Sequence, residues 1–202
     1  MNEEQTWVAQ AQQGDDEAFT RLVETYQTPV FNLCYRMLGE PELAEDAAQE
    51  TFLRAYQHLH RYDQKRPFAT WLLSIAAHYC IDKLRRRKFP TFSMDAEDED
   101  GNSFEVPDVH APNPEAESIK GQTQDRIHAM LKDLDTTDRA AIIMRYWYDY
   151  SEKEIAESLR LTVSAVKSRL HRARRELAGM WQDEEDDLLA EMERRHHESP
   201  AF

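Results

Sequence analysis

Two clusters of cations carry the densest chemistry in this chain. Lys83, Arg85, Arg86, Arg87 and Lys88 put five positive side chains within six residues. One or two cations at a helix end offset the helix dipole, each by about 0.3–1 kcal/mol, but five repel one another and so point to a polyanion. Upstream, Arg61, Lys65 and Arg66 surround Tyr62, and Trp71 follows. Phosphate neutralisers beside ring surfaces are the two parts that hold single-stranded nucleic acid. The second cluster, Lys167, Ser168, His171, Arg172 and Arg175, falls on one face at helical spacing. A third candidate is acidic. Glu45, Asp46 and Glu50 could share a metal with a histidine in a helical metal enzyme, yet no Glu-x-x-His pair and no Gly-rich phosphate loop accompanies them. Cys34 and Cys80 are too few and too scattered for a disulfide framework or a zinc site; they read as buried small hydrophobes in a reducing compartment. No catalytic residue, metal or cofactor is expected.

These side chains need rigid carriers, and the periodicity supplies helices. Only 5 Gly in 202 residues argues against an all-β fold. The first helix spans about 4–13 and stops at Gly14, and Asp15 or Asp16 caps a second with Phe19, Leu22, Val23 and Tyr26 on one face. Pro29 is expected to restart the chain into a separate segment, apolar nearly all round, from Val30 to Leu38. Pro41 then opens PELAEDAAQETFLRAYQHL, with Leu43, Ala44, Ala47, Ala48, Phe52, Ala55 and Tyr56 inward and Asp46, Gln49, Glu50, Leu53 and Arg54 outward. That outer row is a solvated face or a docking face for a basic partner helix. The last helix of this half, 68–88, carries Phe68, Trp71, Leu72, Ile75, Ala76, Tyr79, Cys80 and Leu84 inward and ends in the first cationic cluster.

Beyond residue 124 come helices at 124–134 and 137–147, the latter started by Thr136 or Thr137. Ser151 and Glu154 form a capping box for a short helix at about 152–159. A tight turn at Leu161 follows, and a second helix begins near Ser164, with Val166, Leu170, Ala173 and Leu177 inward and the second cationic cluster outward. A short capped helix, a tight turn and a cationic second helix is the helix-turn-helix pattern, its second helix shaped for a major groove.

The net charge of −14 reads as hostile to nucleic acid until it is divided along the chain. Residues 1–89 carry −2 and residues 125–177 carry +2, whereas 90–124 carry −8 and 178–202 carry −6. Segment 90–124, with four prolines and an acid run from Asp95 to Asp100, reads as a flexible acidic linker. The acidic tail is a short amphipathic helix or disordered, and it could compete in cis with phosphate for the basic faces. No apolar run nears the roughly 20 residues of a membrane span, and the acidic N-terminus is unlike a signal peptide, so a cytoplasmic protein is expected.

The stretches AEDAAQETFLRAY (44–56), FATWLLSIAAHYCIDKLRRRK (68–88) and YSEKEIAESLRLTVSAVKSRLHRARREL (150–177) together resemble the extracytoplasmic-function sigma factors, the compact group of the sigma-70 family of bacterial RNA polymerase. The resemblance implies an all-α fold of two small helical domains. Residues 1–89 would be region 2, 90–124 the linker, 125–178 region 4 with the helix-turn-helix, and 179–202 a tail. It further implies that Asp46, Gln49, Glu50, Leu53 and Arg54 dock on the clamp of the polymerase's largest subunit. Arg61, Lys65, Arg66, Trp71, His78, Arg85, Arg86 and Lys88 would engage the minus-ten element, and Ser164, Lys167, Ser168, Arg169, His171 and Arg172 the minus-thirty-five element. Core polymerase, promoter DNA and an anti-sigma factor are the implied partners, with no membrane insertion. Three positions depart from the family pattern: His78 stands where Asn is usual, Arg160 where Gly is common, and Ser164-Ala165 where Gly-Thr is common; Ser164 is still expected to cap the recognition helix. The reading from a different branch of transcription is a polymerase-independent helix-turn-helix regulator whose N-terminal half senses a ligand or partner, although no dimer seam is evident.

Overall fold

The structure is a computed structural model that describes residues 3–88, 123 and 126–197, with side chains as far as Gln182. The expected linker therefore lies outside the described residues apart from Thr123, and no strand occurs among those described. Four helices form the N-terminal half: α1 (Glu3–Gln12), α2 (Asp16–Leu38), α3 (Pro41–His58) and α4 (Phe68–Lys88), with a 3-10 turn at Leu59–Arg61 between the last two. Asp15 caps α2 by accepting from the backbone N–H groups of Glu17 and Ala18, and Gly39 ends it at φ 78, a left-handed conformation that suits glycine.

The expected break at Pro29 does not occur. α2 runs unbroken through it, because Leu22 on one side and Val30, Leu33, Cys34 and Met37 on the other are all buried against the same neighbours. Burying a side chain of this size is worth about 1.5–3 kcal/mol, and several together outweigh the roughly 3 kcal/mol cost of an internal proline. On α3 the inner stripe is Ala44, Ala47, Thr51 and Ala55, with Leu43, Ala48 and Phe52 half-buried. Tyr56, expected inside, is 48% exposed. Its hydroxyl donates to Asp16 and its ring meets Phe19 edge-on, so the polar tip holds it at the surface. Thr51 replaces it in the core by donating to the Ala47 carbonyl at 2.6 Å, which satisfies its only hydroxyl donor.

The C-terminal half comprises α5 (126–133), α6 (Thr136–Trp147), α7 (Glu152–Leu159) and α8 (Val163–His197). Asp135, not a threonine, caps α6 by accepting from Thr137 N–H. The Ser151–Glu154 capping box of α7 is present with both reciprocal bonds. The tail does not form an element of its own: α8 continues past Leu177 to His197 as one helix of 35 residues, roughly 50 Å long. Trp181 packs beneath the guanidinium of Arg126 on α5 at 3.9 Å, which ties the start of that extension to the rest. The two halves share one continuous apolar core, α4 meeting α6 and α7, and α2 meeting α6.

Candidate nucleic-acid interface

The helix-turn-helix is built from local signals. The α7 capping box fixes its start, and Arg160 ends it at φ 54, the left-handed residue that lets the chain turn. The Leu161 N–H then returns to the Ala156 carbonyl at 2.8 Å. Thr162 caps α8, its hydroxyl accepting from Ala165 N–H at 3.1 Å. The expected cap, Ser164, instead lies in the first turn with its side chain exposed. The register follows from where α8 buries Val166, Leu170 and Ala173 against α6 and α7. Lys167, Ser168, His171, Arg172 and Arg175 are consequently exposed along the opposite face. That face is cationic and solvent-exposed along two turns, as a groove-entering helix must be, with Lys167 reaching Glu152 of α7 at 3.6 Å.

Arg169 is placed differently. Its guanidinium turns toward α6, 2.6 Å from Asp138 and 3.3 Å from Asp135, and its side chain is 29% exposed. Asp138 is fully buried and also accepts from Nε and Nη2 of Arg172 through a single oxygen. Those bonds raise the Arg172 pKa above its ordinary value. Burial alone would raise the Asp135 carboxyl. The backbone N–H groups of Thr137 and Asp138 and the guanidiniums of Arg169 and Arg85 outweigh that and hold it below the usual carboxylate range.

In the N-terminal half the loop between α3 and α4 is pinned from two sides. Gln12 on α1 donates to the carbonyls of both Leu59 and Tyr62 at 2.9 Å and accepts from Gln64 at 2.6 Å. Tyr62 is buried, donates to the Arg66 carbonyl, and packs against Phe68 and Trp71 with ring centroids 5.5 and 4.9 Å away. Burial pushes the Tyr62 phenol up to about 12, so it stays protonated. Arg61, Lys65 and Arg66 stand exposed around this aromatic cluster. Trp71 is half-buried, and His78 on the next turns of α4 donates from Nδ1 to the Ser74 carbonyl at 2.7 Å. A small cleft lined by Tyr62, Gln64, Arg66, Pro67 and Phe68 opens between this loop and α1.

Two family descriptions match the chain: "Sigma-70 region 2" over residues 22–89 and "Sigma-70, region 4" over residues 124–177. Among characterised relatives, the ECF RNA polymerase sigma factor SigW of Bacillus subtilis is 35% identical over 87% of this chain and 95% of its own. The RNA polymerase sigma-H factor of Pseudomonas aeruginosa is 30% identical over 86% and 91%. In structure the chain is similar to CnrH in complex with the cytosolic domain of CnrY, with TM-score 0.64 and 26% identity over 90% of this chain and 99% of that one. The fold also matches the sigma factor RpoE of Bartonella quintana in complex with the anti-sigma factor NepR, with TM-score 0.60, 18% identity, and 81% and 96% covered. The chain belongs to the sigma-70 family.

On this sigma fold the outer row of α3 is partly closed by its neighbours. Asp46, Gln49 and Leu53 are exposed, Leu53 at 52%. Glu50 and Arg54 pair at 2.6 Å, and Arg54 lies over the Tyr79 ring of α4 at 4.8 Å. Lys83 reaches Asp46 at 3.7 Å. The cations at the end of α4 are exposed, but Arg87 pairs with Glu40 at 3.2 Å and Arg85 donates to Thr137 of α6 at 3.2 Å. Arg66 likewise pairs with Glu157 of α7 at 3.3 Å. Region 4 of this sigma chain thus sits against two of the region 2 cations. Sequence reading missed Gln12, Asp138 and Thr162. Only Thr162 left a sequence signal, as a hydroxyl three residues before Ala165. The partners of the other two are 31 to 52 residues away.

Proposed function

We propose that this chain is the promoter-specificity subunit of a bacterial RNA polymerase, binding core enzyme and directing initiation, and contributing no chemistry of its own. One observation carries the reading. A helix-turn-helix with an exposed cationic recognition face and a pinned basic-aromatic loop occur in the same chain, each inside a segment that matches a sigma-70 region. The first fits a duplex and the second fits an opened strand. Ser164, Lys167, Ser168, His171 and Arg172 would enter the minus-thirty-five groove, with Arg169 held at its inner edge. Arg61, Lys65, Arg66, Arg85, Arg86 and Lys88 would neutralise phosphates at the minus-ten element. Trp71 and His78 would meet the strand whose base is extruded at a cost of a few kcal/mol. Asp46, Gln49, Glu50, Leu53 and Arg54 would face the clamp of core polymerase, with Leu53 as the apolar centre of a polar patch.

The span assignments 1–89, 90–124, 125–178 and 179–202 belong to this proposal, as does a cytoplasmic location. No described helix is long and apolar enough to cross a membrane. An anti-sigma partner is part of it too: RpoE, which shares this fold, is solved in complex with the anti-sigma factor NepR, and CnrH with the cytosolic domain of CnrY. The test is run-off transcription with core polymerase on promoters selected from a randomised library. Initiation should require this chain. Specific duplex binding without core, and no stimulation with it, would instead identify a free-standing helix-turn-helix regulator.

A further inference from the structure

The recognition helix carries more cations than its outward face displays, and one buried carboxylate accounts for the difference. Asp138 has no solvent exposure, yet each of its oxygens accepts from a guanidinium of α8: Oδ1 from Arg169 at 2.6 Å, and Oδ2 from Arg172 Nε at 2.8 Å and Nη2 at 2.5 Å. Asp135, the α6 cap, adds a second acid on Arg169 at 3.3 Å. A buried carboxylate without partners would be severely destabilised, so the three side chains form one fixed unit. The two arginines end up in different states. Arg169 is 29% exposed with acids on its inner side; Arg172 is 52% exposed with Nη1 unused by Asp138.

We propose that Asp138 is a specificity-positioning residue for the minus-thirty-five element. It withdraws Arg169 from phosphate and locks the Arg172 fork at one orientation in the groove. The inference rests on the assignment of α8 as the recognition helix. Physically, a long cation free to rotate seeks the nearest phosphate, which adds affinity without sequence information, whereas an immobilised guanidinium can meet only the base edge in front of it. Asp138 converts the first kind of contact into the second. The unit also sets the charge on the groove face, because one acid cancels one of the two arginines.

The experiment uses holoenzyme, this full chain with core polymerase. Its probes are duplexes carrying the selected minus-thirty-five element and every single base-pair substitution of it, titrated across salt. Asp138→Asn keeps the shape but removes the charge. It should steepen the slope of log K against log salt by about one, as a released arginine finds a phosphate, and flatten the preference among the substituted duplexes by about tenfold. Arg169→Gln takes one of the two guanidiniums off Asp138 and loosens the unit, so it should weaken the preference while leaving the slope no shallower than wild type. Arg172→Gln should lose the preference while the slope stays close to wild type, because its guanidinium meets a base edge and not a phosphate. An Asp138→Asn holoenzyme with unchanged slope and preference overturns the positioning role. So does an Arg169→Gln slope shallower by about one, which keeps the proposal falsifiable even where Asp138→Asn fails to fold. A wild-type holoenzyme indifferent to every substitution overturns the assignment of α8 itself, and the positioning role with it.

Discussion

Arg160 sits at φ 54, exposed, at the turn between α7 and α8. A residue with a Cβ is disfavoured there by roughly 1–2 kcal/mol, while glycine in the unfolded chain loses about 0.5–1 kcal/mol more conformational entropy on folding. The difference favours glycine, so Arg160→Gly should stabilise the chain by about 0.5–1 kcal/mol in urea denaturation with an unchanged m-value. A destabilised variant would mean that the arginine side chain makes up the strain elsewhere. This position was legible as a family departure from sequence alone, because the turn geometry is local. Asp138 was not. It looks like a first-turn acid favoured by the α6 dipole, and only the packing of α8 across α6 shows that it is fully buried beneath two arginines. The inward turn of Arg169 was not legible for the same reason. Helical spacing gives a rim position on the wheel, and a partner 31 residues earlier in sequence decides which way the rim turns.

Helix starts tell a similar story at the level of elements. Thr162 and Ser164 are both hydroxyl residues near the start of α8, but only the Thr162 oxygen accepts from a first-turn N–H. Thr162→Ala should therefore cost about 1 kcal/mol of stability, whereas Ser164→Ala should change stability by less than about 0.5 kcal/mol and act, if anywhere, on minus-thirty-five binding. Thermal melts of the two variants side by side check the assignment of the cap. In α7, hydrogen bonds from the Ser151 hydroxyl and backbone hold the Glu154 carboxyl below its usual range. A depressed folded-state pKa contributes stability above the unfolded value, near pH 4.3, and loses it as pH falls through the folded one. Ser151→Ala should thus lower stability at pH 7 by about 1 kcal/mol and by progressively less below pH 4, as pH-dependent denaturation would show. The capping box was readable because its residues are three apart. The continuity of α2 through Pro29 was not, because the stabilising contacts come from α3, α4 and α6 and leave no mark in the local pattern.

The whole molecule is closed. Tyr148 of region 4 donates to the Pro29 carbonyl of α2 at 2.6 Å, Arg139 donates to the Met37 carbonyl at 2.5 Å, and Arg36 lies over the Trp147 ring at 5.1 Å. Arg66 and Arg85 are turned to region 4 in the same arrangement. Two promoter elements whose names place them about 25 base pairs apart are separated by roughly 80 Å of duplex. Regions in direct contact cannot reach both, so the function proposed above requires the closed form to open on core polymerase. The exposed Arg66–Glu157 pair contributes less than about 1 kcal/mol to holding it shut and is a poor lever. Tyr148 is a better one. Burial raises its phenol well above the ordinary value, against a smaller opposing influence from Arg36, so its hydroxyl remains a donor across the working pH range. Removing one such bond costs about 0.5–1.5 kcal/mol. If closed chains dominate, that shifts the open population, and with it the apparent affinity for core polymerase, by about two- to tenfold. Tyr148→Phe should accordingly bind core more tightly in competition with the wild-type chain and show a larger radius of gyration when free. Equal affinity and equal radius would mean that the closed packing does not limit engagement.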